Sequence, residues 1–292
     1  MRSIVGVCMA VLFLTLPSAA MGQAVRTWIS ANGDDSGDCL RTAPCRTWQG
    51  ALVKTAAGGE IDALDSGPYG TVVIDKSITL EGAGVHAGTI ASFSDAIVID
   101  NPTAKVVIRR LVLNGGSDVP GNTPGPYGIR VNAARKVRIE SVRVAEFQNA
   151  GIRIAPTNSP SRTVIVDSLI ADNGANGIGI APGSTGPRGS ANRVTLRDVE
   201  VIGNGGQGVG VSAAGSYFAS ASIFGSLIAD NAVDGIRSEG PQARVRLSNT
   251  DVIGNMANGL RSLNGGQILS WQNNRVGDNG VNGAPTGTLG PS

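Results

Sequence analysis

The segment Asn173-Gly174-Ala175-Asn176-Gly177 begins with asparagine and ends with glycine, and four later segments repeat that form. The five copies read NGANG, NGGQG, NAVDG, NMANG and NGVNG, and they begin at Asn173, Asn204, Asn231, Asn255 and Asn279. Successive copies start 31, 27, 24 and 24 residues apart. Internal repeats of this length are typical of a solenoid, in which one supersecondary unit stacks on copies of itself.

Apolar residues recur at three fixed distances from these asparagines. Eight residues before them stand Ile165, Leu196, Ile223, Leu247 and Trp271. Three before stand Ile170, Val201, Ile228, Val252 and Val276, and five after stand Ile178, Val209, Ile236 and Leu260. The segments around them alternate with period two, as in Gly-Ile-Gly-Ile at 177–180, which indicates strands with one face inward. The pattern predicts three short strands per repeat, forming three parallel sheets around one core.

Each asparagine marks a predicted tight turn between two strands. Asparagine tolerates the left-handed backbone region and hydrogen-bonds nearby backbone groups. Asparagine amides stacked in register can also bond one another along the axis, so we expect a ladder through the five repeats. The glycine four residues later supplies a backbone position without a Cβ.

The signature N-x-x-[NQD]-G-[IVL] between short β-branched strands resembles the repeats of the pectate-lyase-like superfamily of right-handed parallel β-helix proteins. Residues 57–82, with Ala57-Gly58-Gly59-Glu60-Ile61 at their start, look like the first coil of such proteins. The resemblance implies an all-β fold, a right-handed single-stranded parallel β-helix with a short N-terminal capping helix. The superfold hosts lyases, hydrolases, epimerases and adhesins, so it does not define a function. A leucine-rich repeat fits the spacing less well, because leucine is scarce in the columns and no helix follows the asparagine.

The chain divides into four predicted segments. Residues 1–22 resemble a signal peptide, with Arg2 before an apolar run and small residues at its end. Residues 23–59 form a cap, residues 60–283 the β-helix, and residues 284–292 a disordered tail. No second hydrophobic stretch follows, so we expect an exported protein, periplasmic or secreted, with no membrane span after signal removal.

The cap carries two predicted features. Cys39 and Cys45 are the pair of cysteines left after signal removal, and an exported protein favours a disulfide between them. Residues 47–57 place Trp48, Ala51, Leu52 and Thr55 on one helical face, and Gly58-Gly59 would end that helix. A solenoid needs a terminal cap, and this helix is the candidate.

Composition limits the partners. The chain has 24 Lys and Arg against 22 Asp and Glu, which disfavours a dedicated nucleic-acid binder. Aromatic residues make up 4% of the chain, so extended stacking platforms are sparse. We expect a monomer.

Three insertions leave the same corner of the predicted coil, at residues 155–162, 181–192 and 212–220, and should form a rim. The strand that follows carries the outward residues Arg138, Arg197 and Arg246. A basic groove with Tyr217 and Phe218 on its rim is one interpretation, with Asp167 and Asp198 as neighbouring acids. The alternative is a solvated strand face whose arginines serve solubility.

No complete catalytic constellation is visible in the sequence. A lyase of this superfamily would need a Ca²⁺ cluster of carboxylates and an arginine or lysine base, and the acids do not gather. A hydrolase would need paired carboxylates. We therefore predict no cofactor, with Ca²⁺ only for a lyase, and no metal site. The favoured function is binding of a polysaccharide or cell-envelope glycan. The alternatives are a polysaccharide lyase or glycoside hydrolase, and a structural or adhesion rod.

Overall fold

The computed structural model describes residues 23–290 except 83, 118, 157–159, 182–190 and 214. The predicted signal peptide therefore lies outside the described residues. The predicted fold class is confirmed: the chain winds into a right-handed parallel β-helix with one short helix near its N-terminus.

The helix α1 spans Trp48–Lys54. The strands, in chain order, are β1 (Ala24–Ile29), β2 (Thr55–Ala63), β3 (Gly67–Pro68), β4 (Val72–Ile74), β5 (Ile78–Glu81), β6 (Ala87–Ile90), β7 (Ile97–Arg109), β8 (Leu111–Asn114), β9 (Tyr127–Glu140), β10 (Arg143–Ala145), β11 (Ala150–Ile154), β12 (Ser161–Val166), β13 (Leu169–Ala171), β14 (Ile178–Ile180), β15 (Ala191–Arg197), β16 (Glu200–Ile202), β17 (Val209–Ser212), β18 (Phe218–Phe224), β19 (Leu227–Ala229), β20 (Ile236–Glu239), β21 (Ala243–Ser248), β22 (Asp251–Ile253), β23 (Leu260–Leu263), β24 (Gln267–Ser270), β25 (Arg275–Gly277) and β26 (Gly287–Thr288).

Each complete coil contributes one strand to each of three sheets, as the pattern predicts. Sheet 1 contains β1, β2, β5, β12, β15, β18, β21, β24 and β26, together with the C-terminal parts of β7 and β9. Sheet 2 contains β3, β6, β8, β10, β13, β16, β19, β22 and β25. Sheet 3 contains β4, β11, β14, β17, β20 and β23, with the N-terminal parts of β7 and β9. Sheets 1 and 3 are continuous where the long strands β7 and β9 cross their shared corner.

The core is built from the predicted inward columns. Ile165 pairs with Leu196, Leu196 with Ile223, and Ile223 with Leu247, and all four are fully buried. Trp271 does not join this column, because Ser270 takes the place opposite Leu247. The Trp271 ring lies outside, 6.0 Å from the ring of Phe224, so the frame slips by one residue in this coil.

The turn before each ladder asparagine differs from the prediction in one respect. The left-handed residue precedes the asparagine: Asp172 (φ 54°), Gly203 (φ 67°), Asp230 (φ 54°), Gly254 (φ 68°) and Asp278 (φ 54°). The expectation that the asparagine itself adopts this conformation was wrong. Its backbone N–H and its amide both point along the stack, so the residue before it must make the bend.

The asparagine ladder itself is confirmed. The Nδ2 of Asn173 donates to Oδ1 of Asn204 at 2.8 Å, and the same bond links Asn204 to Asn231 at 2.9 Å. It continues from Asn231 to Asn255 at 2.9 Å and from Asn255 to Asn279 at 2.8 Å. The backbone N–H of each of these four donor asparagines bonds the same Oδ1 as the side-chain amide of that residue. The ladder therefore satisfies polar groups that the interior would otherwise leave unpaired.

The glycine that ends the signature is required by this ladder in the first four repeats. A Cβ on Gly208 would lie 2.7 Å from Nδ2 of Asn231, and one on Gly235 would lie 2.7 Å from Nδ2 of Asn255. Neither glycine has a positive φ. Glycine is required at these positions because the coils leave no room for a Cβ, and not because of the backbone conformation of the turn.

The N-terminal cap closes the first coil. Helix α1 buries Trp48, Ala51 and Leu52, and it ends at Lys54, earlier than the prediction to residue 57. Thr55 is already extended and begins β2, whose pairing with β1 and β5 outweighs the helical pattern there. The predicted disulfide Cys39–Cys45 is present. Its loop bonds the outer edge of β1, with the Cys45 N–H donating to the Trp28 carbonyl at 2.9 Å, so that edge is covered.

Residues 284–290, the described part of the predicted disordered tail at 284–292, contain a strand. Strand β26 pairs with β24, and the Thr286 hydroxyl accepts a bond from the Ile268 N–H at 2.9 Å. These bonds extend the pairing of sheet 1 beyond its last complete coil.

Candidate functional site

A line of cationic side chains runs along the outer face of sheet 1. In consecutive coils, register pairing places in one row Lys105, Lys136, Arg162, Arg193, Ser220 and Arg244. We call the five charged residues of this series the cationic row. With coils about 4.8 Å apart, its five steps span about 24 Å.

The charges of the cationic row are not neutralised. All five side chains belong to exposed residues. Among the described residues, no carboxylate forms an ion pair with any of them. Two unit charges about 5 Å apart repel by about 1 kcal/mol in water, and like charges directly opposite on a sheet are destabilising. Repulsion along the row therefore lowers the stability of the folded state slightly. A surface with only a structural role would have no reason to retain such a row.

The row opens into a cleft at its C-terminal end. This cleft of about 450 Å³ is lined by Arg193, Arg244, Arg246 and the exposed ring of Phe218, and we call it the arginine cleft. Burial, followed by the like charges of Arg244 and Arg193, lowers the pKa of the Arg246 guanidinium. An arginine nevertheless stays protonated in proteins, so three positive charges converge there. Ser220 and Ser222, of the strand between them, supply hydroxyl groups to the same cleft.

The structure separates the three arginines that the sequence suggested as one groove. Arg138 is bonded at 2.8 Å to Glu140 of its own strand, and this bond, followed by the Glu140 charge, raises the pKa of the guanidinium. Arg197 lies in a different row, with its guanidinium carbon 5.6 Å from the centre of the Phe224 ring. Only Arg246 lies in the arginine cleft, where Phe218 joins it. Tyr217 is the half-buried residue directly before Phe218.

The suggested acids Asp167 and Asp198 are turn residues between sheets 1 and 2. Both have left-handed backbones, with φ of 47° and 53°. The Asp198 carboxylate stacks on the next coil, where a Cβ on Gly225 would lie 2.5 Å from its Oδ1. The predicted rim is only partly visible, because residues 157–159, 182–190 and 214 of the three insertions lie outside the described residues.

Carboxylates gather at the N-terminal end of sheet 1, where arginines neutralise them. Glu81 bonds Arg109 and Arg110 at 2.8 Å each, and Glu60 lies 3.3 Å from Arg109. Burial, followed by the neighbouring Asp62 carboxylate, raises the pKa of Glu60 against the opposing charges of Arg26 and Arg109. Within the described part of the chain, no three His, Cys, Asp or Glu residues are arranged to hold a metal ion. The described residues therefore do not provide the Ca²⁺ cluster that a lyase of this superfamily would need.

The outer face of sheet 3 offers a second, shallower notch. Gly179 and Gly210 form its floor, and Arg153 and Arg237 stand at its ends. Arg237 is bonded to Glu239 at 2.7 Å, while Arg153 stacks on the Tyr127 ring at 5.7 Å. Its two cations are thus already engaged, which distinguishes this notch from the arginine cleft.

All five members of the cationic row escaped the groove prediction although the sequence contains their signal. Arg162, Arg193 and Arg244 stand eleven residues before a ladder asparagine. Lys136 and Lys105 stand eleven residues before Phe147 and Gly116, which take the place of the asparagine in the two preceding coils. The groove prediction used only the positions seven and nine residues before the asparagine. Sheet 1 extends further than that, so the position two residues upstream also faces outward.

None of the helices in the part of the chain that the structure describes has the length and apolar character needed to span a membrane. This concerns only the described residues.

Comparisons with known proteins address the fold. The profile of the family described as "Right handed beta helix region" matches residues 61–224, more than half of the chain. No curated protein gives a significant match. Among solved structures, pectate lyase Pel9A is similar with a TM-score of 0.53 and 14% identity, over 87% of this chain and 79% of that chain.

Two further solved structures are more distant. The A-module of mannuronan C-5 epimerase AlgE6 from Azotobacter vinelandii has a TM-score of 0.46 and 17% identity, over 76% of this chain and 68% of that chain. A lacto-N-biosidase from Eubacterium ramulus has a TM-score of 0.39 and 10% identity, over 86% of this chain and 67% of that chain. At these identities the likeness concerns the fold, and a ligand has to be inferred from the chain's own residues.

Proposed function

The chain belongs to the right-handed β-helix family, and we propose that it is an exported protein that binds a linear acidic polysaccharide along the cationic row of sheet 1. The observation that carries the proposal is the row of unneutralised charges, repeated from coil to coil over about 24 Å. A ligand with regularly spaced anionic groups matches this geometry, because every coil of the row except the one with Ser220 presents a cation in the same direction.

The arginine cleft adds a site for closer contact. Guanidinium groups bind carboxylates through two parallel hydrogen bonds, and three of them converge around Arg246. The Phe218 ring, 44% exposed, offers an apolar surface beside these charges. A sugar ring carries both an apolar face and, in a uronate, a carboxylate, so one residue of an acidic glycan satisfies both groups.

The fold and the predicted compartment agree with this ligand. The fold is shared with a pectate lyase, and that likeness supports a polysaccharide without identifying one. The apolar run within residues 1–22 and the Cys39–Cys45 disulfide favour export to an oxidising compartment.

The test measures binding of the mature protein to polygalacturonate, alginate and neutral dextran by isothermal titration calorimetry at low and high salt. We expect salt-sensitive binding to the two polyuronates only, weakening as salt rises because exposed charges are screened. Arg193→Ser should lower the affinity about fivefold or more, as the loss of about 1 kcal/mol implies. Arg41→Ser removes an equal charge from the exposed disulfide loop and should leave the affinity unchanged.

Three results would reject the proposal or redirect it. Equal loss of affinity in Arg193→Ser and Arg41→Ser would mean that only net charge matters. Equal binding of a poly-dT oligonucleotide would make the protein a general polyanion binder. Release of unsaturated uronate or of reducing ends during the titration would identify a lyase or a hydrolase.

A further inference from the structure

A third pocket, distinct from the arginine cleft and the notch, lies where sheet 3 meets the turn between β6 and β7. It has a volume of about 350 Å³ and is lined by Val73, Phe93, Asp95, Val98, Tyr127 and Arg130 with their neighbours. We call it the Phe93 pocket. Neither the predicted groove nor the cationic row includes any of these residues, and the row runs along sheet 1.

The Phe93 side chain is held in an unfavourable position. It is 74% exposed, and its backbone has φ of 64°, in the left-handed region that bulky side chains rarely adopt. The turn is fixed by a neighbouring loop, because the Phe93 N–H donates to the Thr123 carbonyl at 3.0 Å and the Gly125 N–H to the Ala91 carbonyl at 2.9 Å. Strain of this kind persists where the surroundings enforce it, and it concentrates at binding sites. The turn thus presents an exposed aromatic ring in a rigid setting.

An ion pair between a buried carboxylate and a half-exposed arginine lines the same pocket as this ring. Asp95 is nine-tenths buried, and one carboxylate oxygen lies 2.6 Å from Nε of Arg130. The other oxygen, Oδ1, has no hydrogen-bond partner among the described residues. Arg130 also lies over the Tyr127 ring at 5.9 Å, so the guanidinium is oriented by two neighbours. The pocket therefore offers hydrogen-bond donors, the remaining N–H groups of Arg130, beside an acceptor, the Oδ1 of Asp95.

The chemistry of the pocket selects its ligand. The two charges among its lining residues cancel, which disfavours an ionic ligand. Phe93, Val73 and Val98 provide an apolar side, and the Asp95–Arg130 pair provides a polar one. A neutral sugar has both: an apolar C–H face that stacks on an aromatic ring, and hydroxyl groups that both donate and accept. We propose that the Phe93 pocket binds a neutral sugar ring, stacked on Phe93 with its hydroxyls directed to Arg130 and Asp95.

This proposal is independent of the acidic-polysaccharide site, and the salt concentration distinguishes binding at the two sites. At high ionic strength, binding along the cationic row is suppressed, whereas stacking and neutral hydrogen bonds persist. The probes are the methyl glycosides of glucose, galactose and mannose, observed by saturation-transfer difference NMR on the mature protein in high salt. We expect at least one of them to receive saturation, most strongly on the C–H protons of one ring face.

Three variants give the decisive comparison. Phe93→Ala should lower the affinity about tenfold, the range of an aromatic stacking contact. Phe93→Gly should lose binding equally while its urea midpoint equals or exceeds the wild type, because glycine adopts this φ without strain. Met256→Ala, which also truncates a 74% exposed apolar side chain, should bind the sugar like the wild type.

The opposite results would overturn the inference. These are no saturation transfer to any of the three glycosides, or equal binding by wild type and Phe93→Gly. Sedimentation velocity tests the competing occupant of the pocket. If the wild type is a dimer that Phe93→Gly converts to a monomer while sugar binding is absent, a second copy of the chain covers the ring instead.

Discussion

Replacing Asn231 by alanine tests whether the ladder holds the coils together. The Asn231 amide makes four side-chain hydrogen bonds, two accepted by Oδ1 from Asn204 and two donated by Nδ2 to the Val201 carbonyl and Asn255. The residue is fully buried, so water cannot replace these bonds at once. Each neutral bond contributes about 0.5–1.5 kcal/mol net to stability.

The neighbours reduce the loss. The Asn204 amide keeps its bonds to the Ile170 and Ile202 carbonyls, and Oδ1 of Asn255 keeps the backbone N–H of residue 231. The groups left unpaired are chiefly the Asn204 backbone N–H and part of the Val201 carbonyl. We therefore expect Asn231→Ala to lower the free energy of unfolding by about 2–4 kcal/mol.

Asn279 provides the comparison. It makes a similar set of bonds, accepting two from Asn255 and donating to the Val252 and Gly277 carbonyls. It is only half-buried at the end of the ladder, so water can take over these bonds and Asn279→Ala should cost about 1 kcal/mol. Urea titrations followed by circular dichroism at pH 7, with slopes compared among variants, measure both values.

The control is Asn273→Ala, whose exposed amide accepts a bond from the Asn249 N–H and donates one to the Ser248 hydroxyl. Water can replace both bonds, so stability should change by less than about 0.5 kcal/mol. Equal destabilisation by Asn231→Ala and Asn279→Ala would refute the reasoning, since the difference in burial would then have no effect.

Two further predictions concern packing and pH. Gly235→Ala should destabilise by about 1–3 kcal/mol in urea, because its Cβ would lie 2.7 Å from both Asn255 Nδ2 and Val252 Cγ1, whereas Gly277→Ala, with nothing within 4 Å, should be neutral. Asp35→Asn should destabilise the cap at pH 7, because the carboxylate accepts bonds from Thr47 Oγ at 2.7 Å and from the Arg46 and Thr47 N–H groups at 2.8 and 3.0 Å. Burial alone would raise the pKa of Asp35, but these bonds outweigh it and lower the pKa. Its contribution is therefore complete above the unfolded-state pKa of about 3.9 and is lost as pH falls through the lower folded-state pKa. The stability difference between wild type and Asp35→Asn, measured by urea unfolding from pH 7 to pH 2, should shrink below about pH 4, and a constant difference would contradict the assignment.

The interior of this fold was predictable because stacking repeats one environment. Ile165, Leu196 and Ile223 occupy equivalent places in successive coils, so each confirms the assignment of the others. The predicted spacing of inward residues was wrong for Trp271, in the coil that contains β24. That coil pairs beyond itself only with the two residues of β26, so it is less constrained to repeat the pattern.

The outer face was less predictable, because the meaning of a charge depends on its neighbours. Arg138 and Glu140 are two residues apart on one strand, so their shared face and their neutralisation follow from the spacing. The contact of Arg197 with Phe224 joins residues 27 positions apart and requires the register between coils. Phe93 has no periodic signal at all, since its exposure and left-handed backbone result from the loop packed beside it.

The cationic row and the Phe93 pocket share one physical property. Each is arranged at a cost to the free protein, through repulsion between neighbouring cations in the row and through backbone strain and an exposed ring at Phe93. If these surfaces had no ligand, Arg193→Ser and Phe93→Gly would change no binding property of the protein. Variants that weaken binding while maintaining or raising stability are therefore the expected signature of both sites. A ligand that binds only the folded state must in turn stabilise it in proportion to ln(1 + [L]/Kd), so polyuronate should raise the Tm of wild type more than that of Arg193→Ser. A neutral glycoside should do the same for wild type relative to Phe93→Gly, and because each ligand acts through a different sheet, the two increments should add.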